Sequence, residues 1–334
     1  MRRIALAAVG MALVVATSGC GGGDEAASSP SPSPTKAQTQ TPTPSPTVRS
    51  VLTGETVPDG PTLVMKIDNS RKSLPHEGLA TADVVYVQQV EGGVTRLAAV
   101  YSTQLPKSVV PVRSARETDT ELLPMYGPVA FGFSGSVSSV HALVGKAGLV
   151  DVSADRGPAG YNRVSGRPAP YNLAATPSSL IKRADGSVLP KDVGFRFGPL
   201  LANGAPTTAV MARFPAAKIG FAYDAATERW VYTLDGRKDQ TSDGPSAADN
   251  VIVQSVTVET LKRSDVSGAS VPFTRSVGRG KAVVLRDGRA FSVTWERAST
   301  SAPTRWLFQG KDFPLKPGQT WVVLLDKRQA PTLQ

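Results

Sequence analysis

The chain has 334 residues, of which 40% are hydrophobic and 19% are charged, a composition that suits one large globular domain or two smaller ones. Its formal net charge is +10, but Lys and Arg form no dense run. No nucleic-acid partner is expected. A basic surface favours anionic lipid headgroups or wall polymers as partners, and it is equally typical of a merely soluble basic protein.

The N-terminus has the features of an export signal. Arg2 and Arg3 precede an apolar stretch, residues 4–16, that is too short to span a membrane comfortably. We therefore predict a signal peptide over residues 1–19.

A lipidation motif follows this apolar stretch. Thr17-Ser18-Gly19-Cys20 resembles a bacterial lipobox, with Thr17 where the motif usually has an aliphatic residue. In that class the cysteine is diacylglycerylated and becomes the new N-terminus. Cys20 is the only cysteine, so no intramolecular disulfide competes for its thiol. We predict an acylated anchor at Cys20 that holds the protein at the extracytoplasmic face of the cell membrane; the alternative is a secretory peptide followed by an incidental thiol.

Residues 20–57 have the composition of a disordered tether. Three glycines are followed by Ser-Pro and Thr-Pro repeats, in residues 29–34 and 41–46. Such a segment has few apolar side chains to bury and cannot offset its ordering entropy. At about 3.1 Å per residue in the polyproline conformation, the tether would reach at most roughly 100 Å. The same composition is also typical of a glycosylated stalk.

The first part of the body, residues 58–195, has the pattern of a mixed α+β domain. Apolar runs predict strands over residues 62–67, 84–91, 94–102 and 129–133, and apolar residues at helical spacing predict a helix over 136–148. Thr176-Pro177 is typical of an N-cap followed by proline at the first helical position, and it predicts a helix over 178–183. Gly92-Gly93 predicts a tight two-residue turn with positive φ.

The second part, residues 205–330, is predicted to be a β-rich domain. Its strands are expected over residues 208–214, 219–223, 229–234, 250–261, 281–286, 289–295, 304–308 and 320–325. Asp287-Gly288 is a strong signal for a type I′ hairpin. The four tryptophans all fall in this part, where core packing is favoured over a sugar-stacking platform. The whole chain is thus assigned to the α+β class.

Several predicted elements of the first part end in charged or polar side chains. Because a sheet holds such side chains rigidly while loops leave room for a ligand, they are candidates for a binding site. These residues are Asp68, Asn69, Glu91, Arg96, Arg113, Ser114 and Arg116. Arg113 and Arg116, three positions apart, suit bidentate capture of a carboxylate or phosphate group.

Other interpretations of the same residues stay open. Asp68 and Glu91 could form a carboxylate pair for acid–base chemistry on a glycan, which would make the protein a cell-envelope hydrolase or transferase. Glu91 and Arg96 could instead bond each other, or Arg113, and only hold the hairpin in register. A scaffold for envelope protein partners is a further alternative, which an exposed apolar patch would indicate.

Other chemistries lack the residues that they need. His76 and His141 are the only histidines and lie far apart in sequence, so no metal site is predicted. Lipidation of Cys20 removes the only thiol nucleophile, and a Ser–His–Asp triad would have to use one of the two histidines. No cofactor is expected.

A set of motifs resembles the YerB-like lipoproteins, a bacterial envelope family built on a domain of unknown function with N-terminal and C-terminal parts. In the first part they are MKIDNS (65–70), ADVVY (82–86), EGGVTR (91–96), PVRSAR (111–116) and PYNL (170–173). In the second part they are NVIV (250–253), DG (287–288), TW (294–295) and PGQTW (317–321). They occur in the family's order over residues 60–325.

The resemblance implies a tethered two-part extracytoplasmic protein and assigns no reaction. PYNL is similar to the family's Pro-His-Asn-Leu element and adds Asn172 to the candidate site. Tyr171 stands where the family has histidine, which favours binding over catalysis here. Our leading hypothesis is a lipid-anchored envelope binding protein for an anionic or glycan ligand, in which the arginines hold the ligand and Asp68, Asn69 and Glu91 shape the pocket.

Overall fold

A computed structural model describes residues 48–185, 187–241, 244–264, 268 and 270–334. Cys20, the signal peptide and most of the tether lie outside the described residues. The tether is predicted to extend to residue 57, but Ser50 and Leu52 are already buried in the body, so the chain joins the body earlier. Its apolar Leu52 explains the difference, because that side chain packs in the core. Within the described part, no helix is both long and apolar enough to cross a bilayer.

The described chain consists mainly of strands. In the first half these are β1 (Leu63–Asn69), β2 (Val84–Gln89), β3 (Thr95–Tyr101), β4 (Ala130–Gly132), β5 (Val150–Asp151), β6 (Tyr161–Arg163), β7 (Leu173–Ala175) and β8 (Arg196–Phe197). In the second half they begin with β9 (Ala205–Pro206), β10 (Ala209–Phe214), β11 (Ala217–Asp224), β12 (Arg229–Leu234), β13 (Arg237–Lys238), β14 (Gln240–Thr241), β15 (Gly244–Pro245) and β16 (Ala247–Ala248). They continue with β17 (Asn250–Ser264), β18 (Ser270–Arg275), β19 (Gly278–Arg286), β20 (Arg289–Arg297), β21 (Arg305–Phe308), β22 (Lys311–Asp312), β23 (Pro314–Leu315), β24 (Thr320–Asp326) and β25 (Thr332–Leu333).

The helices are short and few in the described chain. The α-helices are α1 (Glu117–Leu122), α2 (Ser138–Lys146) and α3 (Pro177–Arg183). Single 3₁₀ turns cover Arg71–Ser73, Leu79–Thr81, Glu91–Gly93, Leu123–Tyr126 and Ala154–Arg156. With 14% of residues helical and 44% in strands, the fold is predominantly β, which corrects the predicted α+β class. The physical reason is that loops punctuated by Pro and Gly leave each predicted helix only two or three turns.

A large mixed sheet runs through both halves of the chain. Its order is β22-β21-β20-β19-β17-β24-β2-β3-β1-β4-β5, with β18 beside β17 and β9 beside β20. Strand β24 lies between β17 and β2 and is parallel to both, so a strand from the end of the chain joins the two halves. Pro46–Gln334 forms one compact unit. The division into domains at residues 58–195 and 205–330 stays a prediction.

Two hydrophobic cores cover the two faces of this sheet. On one face, a smaller sheet of order β13-β12-β11-β10-β25 packs through Phe221 and Tyr232 against Trp321 of β24. On the other face, side chains such as Tyr86 of β2 pack with α1 and α2. All four tryptophans are buried, as the core-packing interpretation predicts. Strands β2 and β24 are therefore buried from both sides, as central strands of a covered sheet should be.

Two predicted hairpins have different outcomes. Asp287 and Gly288 have φ values of 50° and 67° between β19 and β20, which confirms the predicted type of turn. Gly92 and Gly93 also have positive φ, at 69° and 74°. The turn between β2 and β3 is wider than the predicted two residues, because the N–H of Val90 bonds the carbonyl of Val94 across a three-residue loop. Glu91 consequently belongs to the loop rather than to the strand.

Candidate functional site

The register of three strands places a group of polar side chains on one face of the large sheet. Asp68 of β1 lies opposite Arg96 of β3, and Gln88 of β2 lies opposite Arg96 from the other side. Because side chains alternate along a strand, Lys66, Asp68, Gln88 and Arg96 share the face whose other residues, such as Tyr86, build a hydrophobic core. This core face therefore ends in charged groups at one edge.

Two arginines from a neighbouring segment complete the cluster. The segment runs beside the end of β1, where the N–H of Arg113 bonds the carbonyl of Lys66 at 2.8 Å. Arg113 Nε donates to Asp68 Oδ2 at 3.0 Å, and Arg116 Nε donates to the two carboxylate oxygens of Glu91 at 2.7 and 2.8 Å. The structure thus brings together five charged side chains that the sequence analysis selects. We call Asp68, Glu91, Arg96, Arg113 and Arg116 the arginine cluster.

Arg96 occupies the centre of the arginine cluster without a carboxylate partner. Arg96 is 8% exposed to solvent, and its Nη1 donates to the backbone carbonyl of Ser114 at 3.1 Å. In the described chain, no Asp or Glu forms a salt bridge with it. Burial lowers the pKa of Arg96 to about 9, and the positive charges of Arg116 and Arg113 add to this effect. Arg96 is still charged at neutral pH, and an anion beside it would relieve this repulsion.

A second ion pair lies beneath the arginine cluster, and the sequence analysis does not select its members as site residues. Lys66 Nζ donates to Asp119 Oδ1 at 2.6 Å and to Gln88 Oε1 at 2.5 Å, and the Lys66 and Asp119 side chains are fully buried. Burial lowers the pKa of Lys66 to about 8, although the charge of Asp119 acts against this shift. The other Asp119 oxygen accepts the backbone N–H of Arg116 at 2.7 Å, at the start of α1.

A sequence signal for this deeper pair does exist. Lys66 interrupts an otherwise apolar strand, and a lysine in such a place is almost never fully buried without a partner. The partner cannot be inferred from the same pattern, because Asp119 lies 53 positions further along the chain.

The charges of the two layers do not balance. Lys66, Arg96, Arg113 and Arg116 are cations, whereas the carboxylates that pair with them are those of Asp68, Glu91 and Asp119. One positive charge, that of Arg96, is in excess. An arrangement of this kind attracts an anionic group.

Three other predicted site residues have different positions. Asn69 is buried on the opposite face of β1, where its Nδ2 donates to Thr95 Oγ1 at 2.8 Å. Asn172 precedes β7, and its Oδ1 accepts a bond from Arg163 at 2.5 Å, outside the arginine cluster. Ser114 contributes through its backbone carbonyl to Arg96. The assignment of Asn69 to the pocket is therefore corrected, because alternation along β1 turns neighbouring side chains to opposite faces, whereas a role of Asn172 in binding stays a prediction.

The carboxylates of the arginine cluster are poorly suited to acid catalysis. Burial by itself raises the pKa of Glu91, but the hydrogen bond and positive charge of Arg116 outweigh it and hold the pKa below its usual value. Glu91 is therefore ionised at neutral pH and has no proton to give. Asp68 is bonded by Arg113 and by the backbone N–H of Ser70.

The two histidines have separate environments. His76 is fully buried beside Asp239, and His141 lies between Asp151 and Asp155. No group of His, Cys, Asp and Glu suited to a metal ion occurs among the described residues.

The fold and the cluster define a mainly β protein with a basic cluster at the strand ends of a covered sheet. The chain belongs to the DUF3048 family, described as proteins of unknown function: residues 50–190 match its N-terminal domain and residues 210–322 its C-terminal domain.

A relative from Bacillus subtilis (strain 168), named "Putative lipoprotein YerB", is 22% identical over 296 residues, which cover 84% of this chain and 86% of the relative. The crystal structure of YerB protein from Bacillus subtilis is similar to the present fold, with a TM-score of 0.70 at 23% identity. The similarity covers 86% of this chain and 99% of that one. The predicted family resemblance is thereby confirmed.

Proposed function

We propose that the protein is a lipid-anchored binding protein of the cell envelope, and that its arginine cluster holds an anionic group of the ligand. The observation that carries this proposal is Arg96, a largely buried guanidinium with one bond to the protein and no carboxylate partner in the described chain. Burial and the charges of Arg116 and Arg113 disfavour this cation more than the attraction of Glu91 and Asp68 favours it, so an anionic ligand group beside it would be bound favourably.

The neighbouring arginines supply further donors to the same ligand. Among the described residues, the Arg113 side chain bonds only through its Nε, to Asp68, so both of its Nη groups are left for a ligand. Arg116 uses Nε toward Glu91 and Nη1 toward the carbonyl of Ala115, which leaves Nη2. Asp68 and Glu91 then have a positioning role, because each holds one guanidinium by its Nε edge. Three such groups around one point suit a phosphate or carboxylate, which accepts several charge-assisted hydrogen bonds.

The lipid anchor is part of the same proposal. Support comes from the lipobox-like motif that ends in Cys20 and from the name of the Bacillus subtilis relative. Replacement of Cys20 by alanine should release the protein from the membrane fraction and abolish its labelling by a radioactive fatty acid. Unchanged membrane association without label would contradict the anchor.

Calorimetry of the full-length chain in detergent tests the binding site. The probes are inorganic phosphate, a soluble acidic wall glycan and a neutral glycan of the same length. We expect Arg113→Ala combined with Arg116→Ala to weaken binding of the acidic probes at least tenfold, since each charge-assisted bond contributes about 1.5–3 kcal/mol.

The matched control is Arg305→Ala, which removes an exposed arginine that is likewise bonded to carboxylates, those of Glu296 and Asp312. It should leave binding unchanged. Equal affinity of the double variant and the wild type for every probe would remove the proposed site.

The alternative functions have less support. An envelope hydrolase or transferase would need a protonated carboxyl group, and the lowered pKa of Glu91 acts against one at that position. A scaffold for protein partners stays a prediction, for which the exposed valines and leucines of the described chain supply no single segment: they are Val48, Val51, Val57, Val188, Leu189, Leu200 and Leu333.

A further inference from the structure

A cavity of about 390 Å³ lies in the second half of the chain, apart from the arginine cluster. Its lining comes from β17, the end of β18, β19 and β20 and from the segment that follows β24, and includes Ser255, Arg275, Arg279, Lys281, Trp295 and Lys327. We call it the β17–β19 cavity. Its volume lies in the range that accommodates small ligands.

The cavity exists because β17 changes partner along its length. Residues 250–254 of β17 pair with β19, whereas pairing with β18 begins at Thr257. Between these two registers the backbone carbonyl of Ser255 has no strand partner on that side, and it accepts the indole N–H of Trp295 at 2.9 Å.

Gly280 allows this close approach of the indole. A Cβ atom at that position would lie 2.7 Å from Trp295 Nε1 and 3.0 Å from the Ser255 carbonyl oxygen. A side chain at this position would displace the indole of Trp295. Glycine therefore allows the indole to form part of the cavity wall.

The charged residues that line the cavity all have the same sign. Arg275 is held in place from outside, by Glu121 at 3.0 Å and Glu259 at 2.8 Å. The side chains of Arg279, Lys281 and Lys327 have no hydrogen-bond or ion-pair partner among the described residues, and no carboxylate is among the residues that line the cavity. Three unpaired cations around one opening produce a local positive potential that concentrates anions.

We infer that the β17–β19 cavity is a second anion site and that it takes a phosphate-bearing ligand. The charge of a phosphate group matches the excess positive charge of the cavity better than that of a carboxylate does. A carboxylate carries one negative charge, whereas a phosphate monoester carries about 1.5–2 at pH 7 and offers several acceptor oxygens. Lysines on flexible stems bind phosphate as point charges, and Arg279 adds a planar fork. Trp295 and the strand backbone form a fixed wall beside these mobile cations.

The test is calorimetry of the full-length chain in detergent, with pyrophosphate as the phosphate probe and acetate as the carboxylate probe. It is performed in the background that lacks Arg113 and Arg116, so that two of the three guanidinium groups of the arginine cluster are removed and Arg96 is the same in every variant compared. We expect this background to bind pyrophosphate, and Arg279→Gln with Lys281→Gln to weaken that binding at least tenfold. Acetate should bind more weakly than pyrophosphate by a similar factor.

The control changes the same charges elsewhere. Arg237→Gln with Lys311→Gln removes two exposed cations from β13 and β22, and it should preserve the affinity for pyrophosphate. The inference is overturned if the background does not bind pyrophosphate, if the cavity variant binds as well as the control, or if acetate binds equally well. Because both variants have the same substitutions at Arg113 and Arg116 and the same Arg96, a difference between them reports on the β17–β19 cavity and is independent of the proposed function.

Discussion

The two faces of the large sheet differ sharply at the end of β1, although the residues concerned are neighbours in sequence. On one face, Asp68 and Arg96 belong to the arginine cluster, where Arg96 has no carboxylate partner in the described chain. On the opposite face, Asn69 donates to Thr95 Oγ1 and accepts the hydroxyl of Tyr232 at 2.8 Å. We call the second arrangement the closed face, because its three side chains are buried and bonded to one another.

A buried histidine continues the closed face. His76 Nδ1 lies 2.9 Å from Asp239 Oδ2, and its Nε2 lies 2.8 Å from the backbone carbonyl of Asp68. Ser73 Oγ also lies 3.2 Å from the same Nε2, so the ring has polar neighbours at both nitrogens. Asp239 also accepts the hydroxyl of Ser246. This network connects the first half of the chain to the second.

The difference shows that burial alone does not identify a ligand site. Asn69, His76 and Arg96 are all buried polar residues, but of these only Arg96 is a guanidinium whose side chain has a single hydrogen bond within the described chain. A network whose groups are all bonded contributes stability and rigidity. A largely buried group whose donors are not all bonded provides a point at which a ligand can bind. The comparison therefore predicts losses of stability on the closed face and losses of binding at the arginine cluster.

The largest expected effect is on the closed face, at Asp239. Asp239→Ala should lower the free energy of unfolding by about 3–5 kcal/mol, since it leaves the buried His76 without its charged partner. Urea denaturation measures the loss. Asp312→Ala, which removes an exposed carboxylate, is the control and should cost below about 1 kcal/mol. If the Asp239→Ala variant were as stable as the wild type but had lost anion binding, the closed face would serve binding rather than stability, contrary to the prediction.

A smaller loss is expected at Tyr232. Tyr232→Phe leaves the side-chain oxygen Oδ1 of Asn69 without its hydroxyl donor. An unsatisfied buried acceptor costs about 1–3 kcal/mol. Thermal or urea unfolding checks this value. Tyr223→Phe removes a half-buried tyrosine hydroxyl from the neighbouring strand β11 and should be close to neutral. Equal stabilities for the two variants would show that the closed face is not held together by this bond.

The smallest effect concerns the pH dependence of the Glu91–Arg116 pair. The folded-state pKa of Glu91 lies below its usual 4.5, so the pair stabilises the fold above that pH and this contribution is lost as the pH falls through the folded-state pKa. At pH 7, Arg116→Gln should cost about 1 kcal/mol, and its difference from the wild type should narrow below pH 4.5. Urea denaturation at several pH values measures the narrowing. A constant difference from pH 3 to pH 7 would exclude Glu91 as the titrating partner.

Much of the local structure can be predicted from the sequence, and the reasons are local. The Asp287-Gly288 turn depends on positive φ at two adjacent residues, and the N-cap at Thr176 depends on the proline that follows it. The meeting of Arg113 and Asp68 is also accessible, because both residues lie at the ends of extended segments.

The rest depends on contacts between distant segments. The insertion of β24 between β2 and β17 joins residues from the two ends of the body, and no periodicity indicates which strands become neighbours. The partner of Lys66 lies on α1, a helix that the sequence analysis does not predict. The third residue of the turn, Glu91, could not be predicted from the sequence either, since two glycines with positive φ suit a turn of two or of three residues.

The proposed anion site at the arginine cluster is tested most directly by titration of the full-length chain with inorganic phosphate. The titration is followed through the ¹⁵N-labelled Nε–H resonances of the arginine side chains. We expect the resonances of Arg96 and Arg113 to shift and to reach saturation at the same phosphate concentration. The resonance of the exposed Arg305 should not change. If phosphate binds while the Arg96 resonance stays at its original position, the Arg96 guanidinium does not hold the anion, and the proposed binding site is wrong.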